Sequence, residues 1–183
     1  FWGYKTDGVF QNDADVFVSR WVPDRIGILN DRHITLPLVE NGEYDFVVDW
    51  GDGTEDKITS WDDEAITHEY PDLELYELRI TGLITGWAFL GSDSAPAIRE
   101  ILNWGPLEFG DTYGQFYRCN HLTISATDSP DLADTKDLSM AFCHCNSLTE
   151  IPSINEWDTS NVTDMGHMFS GSPNFNQDLS GLD

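Results

Sequence analysis

Apolar and polar positions alternate through "YDFVVDW", placing Tyr44, Phe46, Val48 and Trp50 on one face and Asp45, Val47 and Asp49 on the other. A period of two is that of a half-buried strand. "LYELRITG" repeats it, with Tyr76, Leu78 and Ile80 set against Glu77 and Arg79, and Gly82 is expected to end the strand. "DVFVSRWV" and "HITLPLV" are further extended segments. Pro37 makes the second an edge or irregular strand, because proline has no N–H to give to a ladder. The connections carry turn chemistry: "GDGT" after Trp50 suits a tight turn with positive φ, and "WDDEAITHEYPD" is an acidic loop. No segment of residues 1–85 has the three-four spacing of a helix face, so this half predicts a small antiparallel β-sandwich.

From Trp87 the pattern changes to short bursts of Leu, Asn, Ser, Thr and Gly, and the chain repeats itself. "FYRCNHLT" (116–123), "FCHCNSLT" (142–149) and the looser "FSGSPNFN" (169–176) put Phe116, Phe142 and Phe169 26 and 27 residues apart. Leu122, Leu148 and Phe175 keep the same spacing. A period of this length is a solenoid signal. Each repeat is too short to enclose its own apolar side chains, so Phe116, Phe142 and Phe169 are expected to form one internal ladder and Leu122, Leu148 and Phe175 another. An earlier turn is visible in "AIREILNWG", where Ile98, Glu100 and Ile101 match the spacing of Leu148, Glu150 and Ile151, and Trp104 then corresponds to Trp157. The copy "DTKDLSMAF" is three residues shorter than "DTSNVTDMGHMF", which makes one coil irregular. The predicted fold is mainly β: a sandwich over residues 1–85 capping the first coil of a solenoid over residues 86–183. The chain stops at "SGLD", midway through a coil, as expected of a fragment of a longer array or of an end covered by another subunit.

Three separated pieces of the first half, "FVVDWGDGT", "THEYP" and "YELRITG", resemble a polycystic-kidney-disease-type (PKD-like) immunoglobulin sandwich, marked by a WGDGT turn, a later H-x-Y and a closing Y-x-V-x-I-x-G strand. The glycine usual before the closing tyrosine is absent from "LELY". The second half resembles the BspA-like leucine-rich-repeat bacterial surface proteins of about 26-residue repeat, on "ILNWGPLEF", "FYRCNHLTISATDSPDLADTKDLSMAFCHCNSLTEIP", "EWDTSNVTDMGHMF" and "NFNQDLS". These resemblances imply an extracellular or cell-surface location. They also imply a noncatalytic, adhesin-like role toward a protein or glycan on another surface. A fold does not assign a function, and a structural subunit of a filament, sheath or virion, in contact with neighbouring copies of itself, is the alternative.

Charge narrows the partners. The chain has 33 acidic and nine basic residues and a formal net charge of −24, which repels phosphate backbones and anionic lipid, so nucleic acid is not an expected partner. The acid is spread evenly, with 19 acidic and six basic side chains in residues 1–85 and 14 and three in residues 86–183. No apolar run is long enough to span a bilayer, and membrane insertion is not expected. The start at Phe1, with neither Met nor a charged-then-apolar leader, is that of a mature or trimmed product and agrees with secretion.

Candidate chemistry is sparse. Asp49, Asp52, Glu55 and Asp56 surround the WGDGT turn and supply the oxygens that calcium takes. The same aspartates can instead bond their own backbone, and the spacing is not that of an EF-hand. No other cofactor is expected. Cys119 and Cys145 each follow a ladder phenylalanine by three residues, and stacking brings them about 5 Å apart. A disulfide is open to them, although a ladder of small buried side chains is the expectation. With His121, Cys143 and His144 they do not match zinc spacing. No nucleophile elbow, Cys-His pairing or phosphate-cradling loop is present, so no enzyme is expected. His68 is expected as a packed strand residue. Trp2, Trp21, Trp61, Trp87, Trp104 and Trp157 are too many to be all core, and Trp61, inside the acidic loop, is the candidate for exposed binding.

Overall fold

The structure, a computed structural model, describes residues 15–23 and 31–182. It is mainly β, with almost no helix. The strands are β1 (Phe17–Trp21), β2 (His33–Thr35), β3 (Leu38–Asp49), β4 (Glu55–Ile58), β5 (Thr67–Glu69), β6 (Tyr76–Trp87), β7 (Ile98–Asn103), β8 (Leu107–Glu108) and β9 (Thr123–Ile124). Seven of them form a mixed sheet ordered β4-β3-β6-β1-β7-β9, with β8 beside β6, and β2 pairs with β5 in a separate ribbon. The β6–β8 and β7–β9 pairings are parallel and the others antiparallel.

The alternation in β3 does what its sequence dictates: Tyr44, Phe46, Val48 and Trp50 are buried while Asp45 and Asp49 face solvent. Pro37 divides "HITLPLV" between two sheets, since β2 ends at Thr35 and β3 begins at Leu38. Gly82 does not end its strand. β6 runs through it to Trp87, and Gly82 stands opposite Phe46, where a Cβ would strike the Asp45 carbonyl oxygen. The glycine serves close approach of two backbones at φ 115°, a role that a strand-interior glycine shares in sequence with that of a breaker. Between Leu38, opposite Trp87, and Glu43, opposite Thr85, β3 bulges, and the Tyr44 hydroxyl pins the bulge by donating to Val39 O and accepting from Val39 N–H.

Where the sequence divides into two textures, at residues 85 and 86, the structure is continuous. β6 crosses that point, and β7, β8 and β9 from the second half extend the sheet of the first. One apolar core runs through both, linked by Trp21 against Trp87, Phe89 against Phe116, and Phe116 against Trp104. Of the six tryptophans expected to be too many for the core, Trp21, Trp87, Trp104 and Trp157 are buried core residues, and Trp2 lies outside the described residues. The shared core absorbs these four indoles and leaves Trp61 40% exposed.

From Gly114 on the chain winds in turns joined by backbone hydrogen bonds at the repeat spacing. Gly114, Phe116 and Arg118 donate to Ser139, Ala141 and Cys143, and Leu138, Met140, Phe142 and His144 donate to Asp164, Gly166, Met168 and Ser170. The residues between donate three back within their own turn, as Tyr117 does to Gly114 and Cys143 to Met140. The backbone over the phenylalanine segments is therefore a succession of tight turns. The cause is left-handed backbone at two positions per turn. Gly114, Met140 and His167 have φ 66°, 55° and 60°, and Arg118, His144 and Gly171 have φ 61°, 62° and 70°. The extra residues of "DTSNVTDMGHMF" bulge outward and rejoin where Thr163 and Asp164 both donate to Lys136 O.

Candidate functional site

The acidic turn proposed for calcium spends its carboxylates on the protein itself. Asp49 accepts from the Gly51 N–H and Asp52 from the Thr54 N–H and hydroxyl, each at the two-residue offset of an Asx turn. The other Asp52 oxygen meets His68 Nε2 at 2.8 Å, and Asp56 takes the indole N–H of Trp50 at 2.9 Å. Among the described residues no group of three or more His, Cys, Asp or Glu is placed to hold a metal ion. Burial works against the charged form of Asp52, but the bonds from Thr54 and His68 outweigh it and hold the carboxyl below its ordinary range. His68 lies flat on Trp50 at 4.7 Å and edge-on to Tyr70, a packed strand residue of β5. The Asx bond recurs at Asp31, Asp63, Asp72, Asp131, Asp137, Asp158, Asp164 and Asp178. Much of the aspartate thus closes turns.

The phenylalanines stack. Phe116 lies on Phe142 at 5.3 Å and 5°, and Phe142 on Phe169 at 5.7 Å and 8°. Leu122 and Leu148 are both fully buried, and the segments that carry them are joined by the Ser147 N–H to Asn120 O. Phe175 instead stacks on Phe169 at 3.9 Å, so the two expected ladders merge at the last turn. Residues two turns apart should be about 10 Å apart, yet Trp104 and Trp157 meet edge-on at 5.8 Å, so their equivalence by spacing does not hold. β7 and β9 pair Ile101 with Ile124, one residue away from the register that the spacing with Leu148 and Ile151 implies. Cys119, Cys143 and Cys145 are free thiols and buried; burial pushes the Cys145 thiol up to about 12 and raises Cys119 as well. The Cys145 thiol donates to Phe116 O at 3.1 Å, the behaviour of a small core residue.

Trp61 is 40% exposed in its loop. Two clefts open elsewhere. One, of about 240 Å³, lies over the β3 bulge and is lined by Glu43, Glu108, Asp111 and Asp134 beside Gly42, Gly86 and Gly110. Burial, then the charges of Asp131, Asp134 and Glu43, raises the Glu108 carboxyl above its ordinary range. The second, of about 210 Å³, is lined by Phe89, Gly91, Ser92, Asp93, Tyr117 and Arg118. The Arg118 guanidinium lies over the Tyr117 ring at 5.3 Å, and Tyr117 meets His144 edge-on. The sequence reading passed over this cleft. Superposing "FYRCN" on "FCHCN" was the available signal, because it marks Arg118 and His144 as the same outward position of successive turns.

Residues 111–183 match the family model described as Mycoplasma protein of unknown function, DUF285. No curated protein and no solved structure matches the chain. The matched stretch covers the stacked turns from Asp111 onward, and the sheet of β1 to β7 lies before it. No helix among the described residues is long and apolar enough to cross a membrane.

Proposed function

We propose that this chain is a noncatalytic binding module displayed outside the cell, in which a PKD-like sandwich leads into a leucine-rich-repeat solenoid of the BspA-like type. The solenoid presents a fixed face to a protein or glycan on another surface. The observation that carries this reading is the in-register stack of Phe116, Phe142 and Phe169 inside the stretch that matches the family model. Turns bonded to their neighbours hold their outward side chains at a constant spacing, so a partner is met with little change of shape.

The test is solution state together with retention on immobilised glycans and extracellular matrix proteins. A monomer retained by at least one of them is the expected result. A polymer that shields its stacked turns from protease would replace this reading with that of a structural subunit of a filament or sheath, and turnover of a glycan would replace it with an enzyme.

A further inference from the structure

The second cleft sets an acid and a base at one cavity without joining them. Arg20, Arg32, Lys57, Arg79 and Lys136 each lie against a carboxylate. Arg118 meets none among the described residues, although the chain carries 33 acidic residues. Asp93, on the same cavity, bonds to no other described residue, and the two do not pair with each other. In so acidic a protein a guanidinium left unmatched beside an unmatched carboxylate is a donor set and an acceptor set held apart by a space of about 210 Å³.

The backbone holds that separation. Arg118 is fixed in left-handed conformation by its N–H to Cys143 O and its carbonyl to the Asn120 N–H. Its side chain is further held against Tyr117. The surroundings add apolar surface. Phe89 and the half-buried Tyr117 are the aromatic residues that line the cleft.

We infer that this cleft is a subsite for one neutral hexopyranose ring, with Arg118 donating to ring hydroxyls, Asp93 accepting from a neighbouring hydroxyl, and the Tyr117 ring that lines the cleft meeting the C–H face. A sugar hydroxyl both donates and accepts, so vicinal hydroxyls answer an arginine and an aspartate at once. A neutral ring escapes the repulsion that a net charge of −24 and Asp93 itself impose on an anionic sugar. The cavity holds about one ring and no more. This inference rests on the proposed binding role and names its ligand class.

The experiment is saturation-transfer NMR on the whole chain with the methyl glycosides of glucose, galactose, mannose and N-acetylglucosamine, with galacturonate and glycine as competitors. At least one neutral glycoside is expected to bind at about millimolar Kd, as a small open site allows. Arg118→Asn, which keeps a side chain tolerated at positive φ, and Asp93→Asn are each expected to weaken it about tenfold or more. Neither should move the thermal midpoint. Absence of binding by all four glycosides, equal binding by both variants, or displacement by galacturonate or glycine at lower concentration than the sugar overturns the subsite. Retention on a matrix protein with no glycoside bound would overturn this subsite and leave the binding role standing, whereas retention on nothing would remove the role itself.

Discussion

At the scale of single residues, the acidity of this chain is mostly structural work. Asp52 closes the WGDGT turn and holds His68 against Trp50, so its replacement undoes several contacts together. Asp52→Ala is expected to cost about 1–3 kcal/mol in a urea titration at pH 7. Because the folded carboxyl is held below its ordinary value, its contribution is complete above the unfolded value and fades as pH falls through the folded one. The variant and parent stabilities should therefore converge as the solution is acidified below about pH 4. Glu108 has the opposite sign. Its folded value is raised by burial and by Asp131, Asp134 and Glu43, so its charge opposes folding at neutral pH. Glu108→Gln is expected to raise the thermal midpoint at pH 7, and that gain should vanish in acid, where the parent is protonated too. The buried thiols make a third case. With Cys119 and Cys145 raised by burial, alkylation by iodoacetamide at pH 8 is expected to leave both unmodified in native protein and to modify all three cysteines in urea. Modification of Cys145 in the native state would mean that the last turns open readily.

At the scale of elements, the ladder has a direction. Each turn gives N–H groups to the carbonyls of the turn that follows, so in the last described turn the equivalent donors, on Met165, His167, Phe169 and Gly171, have no acceptor among the described residues. Their carbonyl neighbours are already used. Hydrogen exchange on the 183-residue chain is expected to protect the amides of Met140, Phe142 and His144 strongly and those of His167, Phe169 and Gly171 little. Equal protection would mean that something covers that edge. Alternation made the buried face of β3 legible in advance, and the 26- and 27-residue spacing did the same for the phenylalanine stack. The turn backbone was hidden, because Arg118, Met140, His144 and His167 occupy left-handed positions with side chains that give no local sign of it. The sign was distributed over copies: Gly114 aligns with Met140 and His167, and Gly171 with Arg118 and His144. Reading the glycine of one copy as a demand on all of them would have exposed both columns. Of the candidate site, Trp61 was legible as exposed, while the Asp93 and Arg118 cleft was not, since the two meet only through the fold.

At the scale of the molecule, what composition divides the core joins. The change of texture near Thr85 is real, but it marks a change in how backbone bonds are made, from strand pairs to stacked turns, and not an end of burial. β7 and β9 add to the sheet on one side, β8 on the other, and the aromatic chain from Trp21 through Trp87 and Phe89 reaches Phe116 without a gap wider than ring contact. Phe89 also stands 27 residues before Phe116, the step that separates Phe142 from Phe169, so the repeat spacing carries this contact too. If the two halves were independent, each would melt on its own, since interfaces between separate domains are small and polar. A shared apolar core should instead unfold in one step. Phe116 is the place to test this, as its ring touches Phe89 and Trp104 as well as Phe142. Phe116→Leu shrinks a fully buried ring that faces both halves, and is expected to lower stability by about 1–3 kcal/mol. In urea, circular dichroism of the sheet, tryptophan fluorescence and the thiol reactivity of Cys145 should trace coincident curves in the parent. They should move together in the variant, because the lost contact belongs to a single cooperative unit. Two separated transitions in the parent, with only the thiol-reporting one shifted by Phe116→Leu, would show that the turns and the sheet are distinct domains and that their aromatic contact contributes little to either.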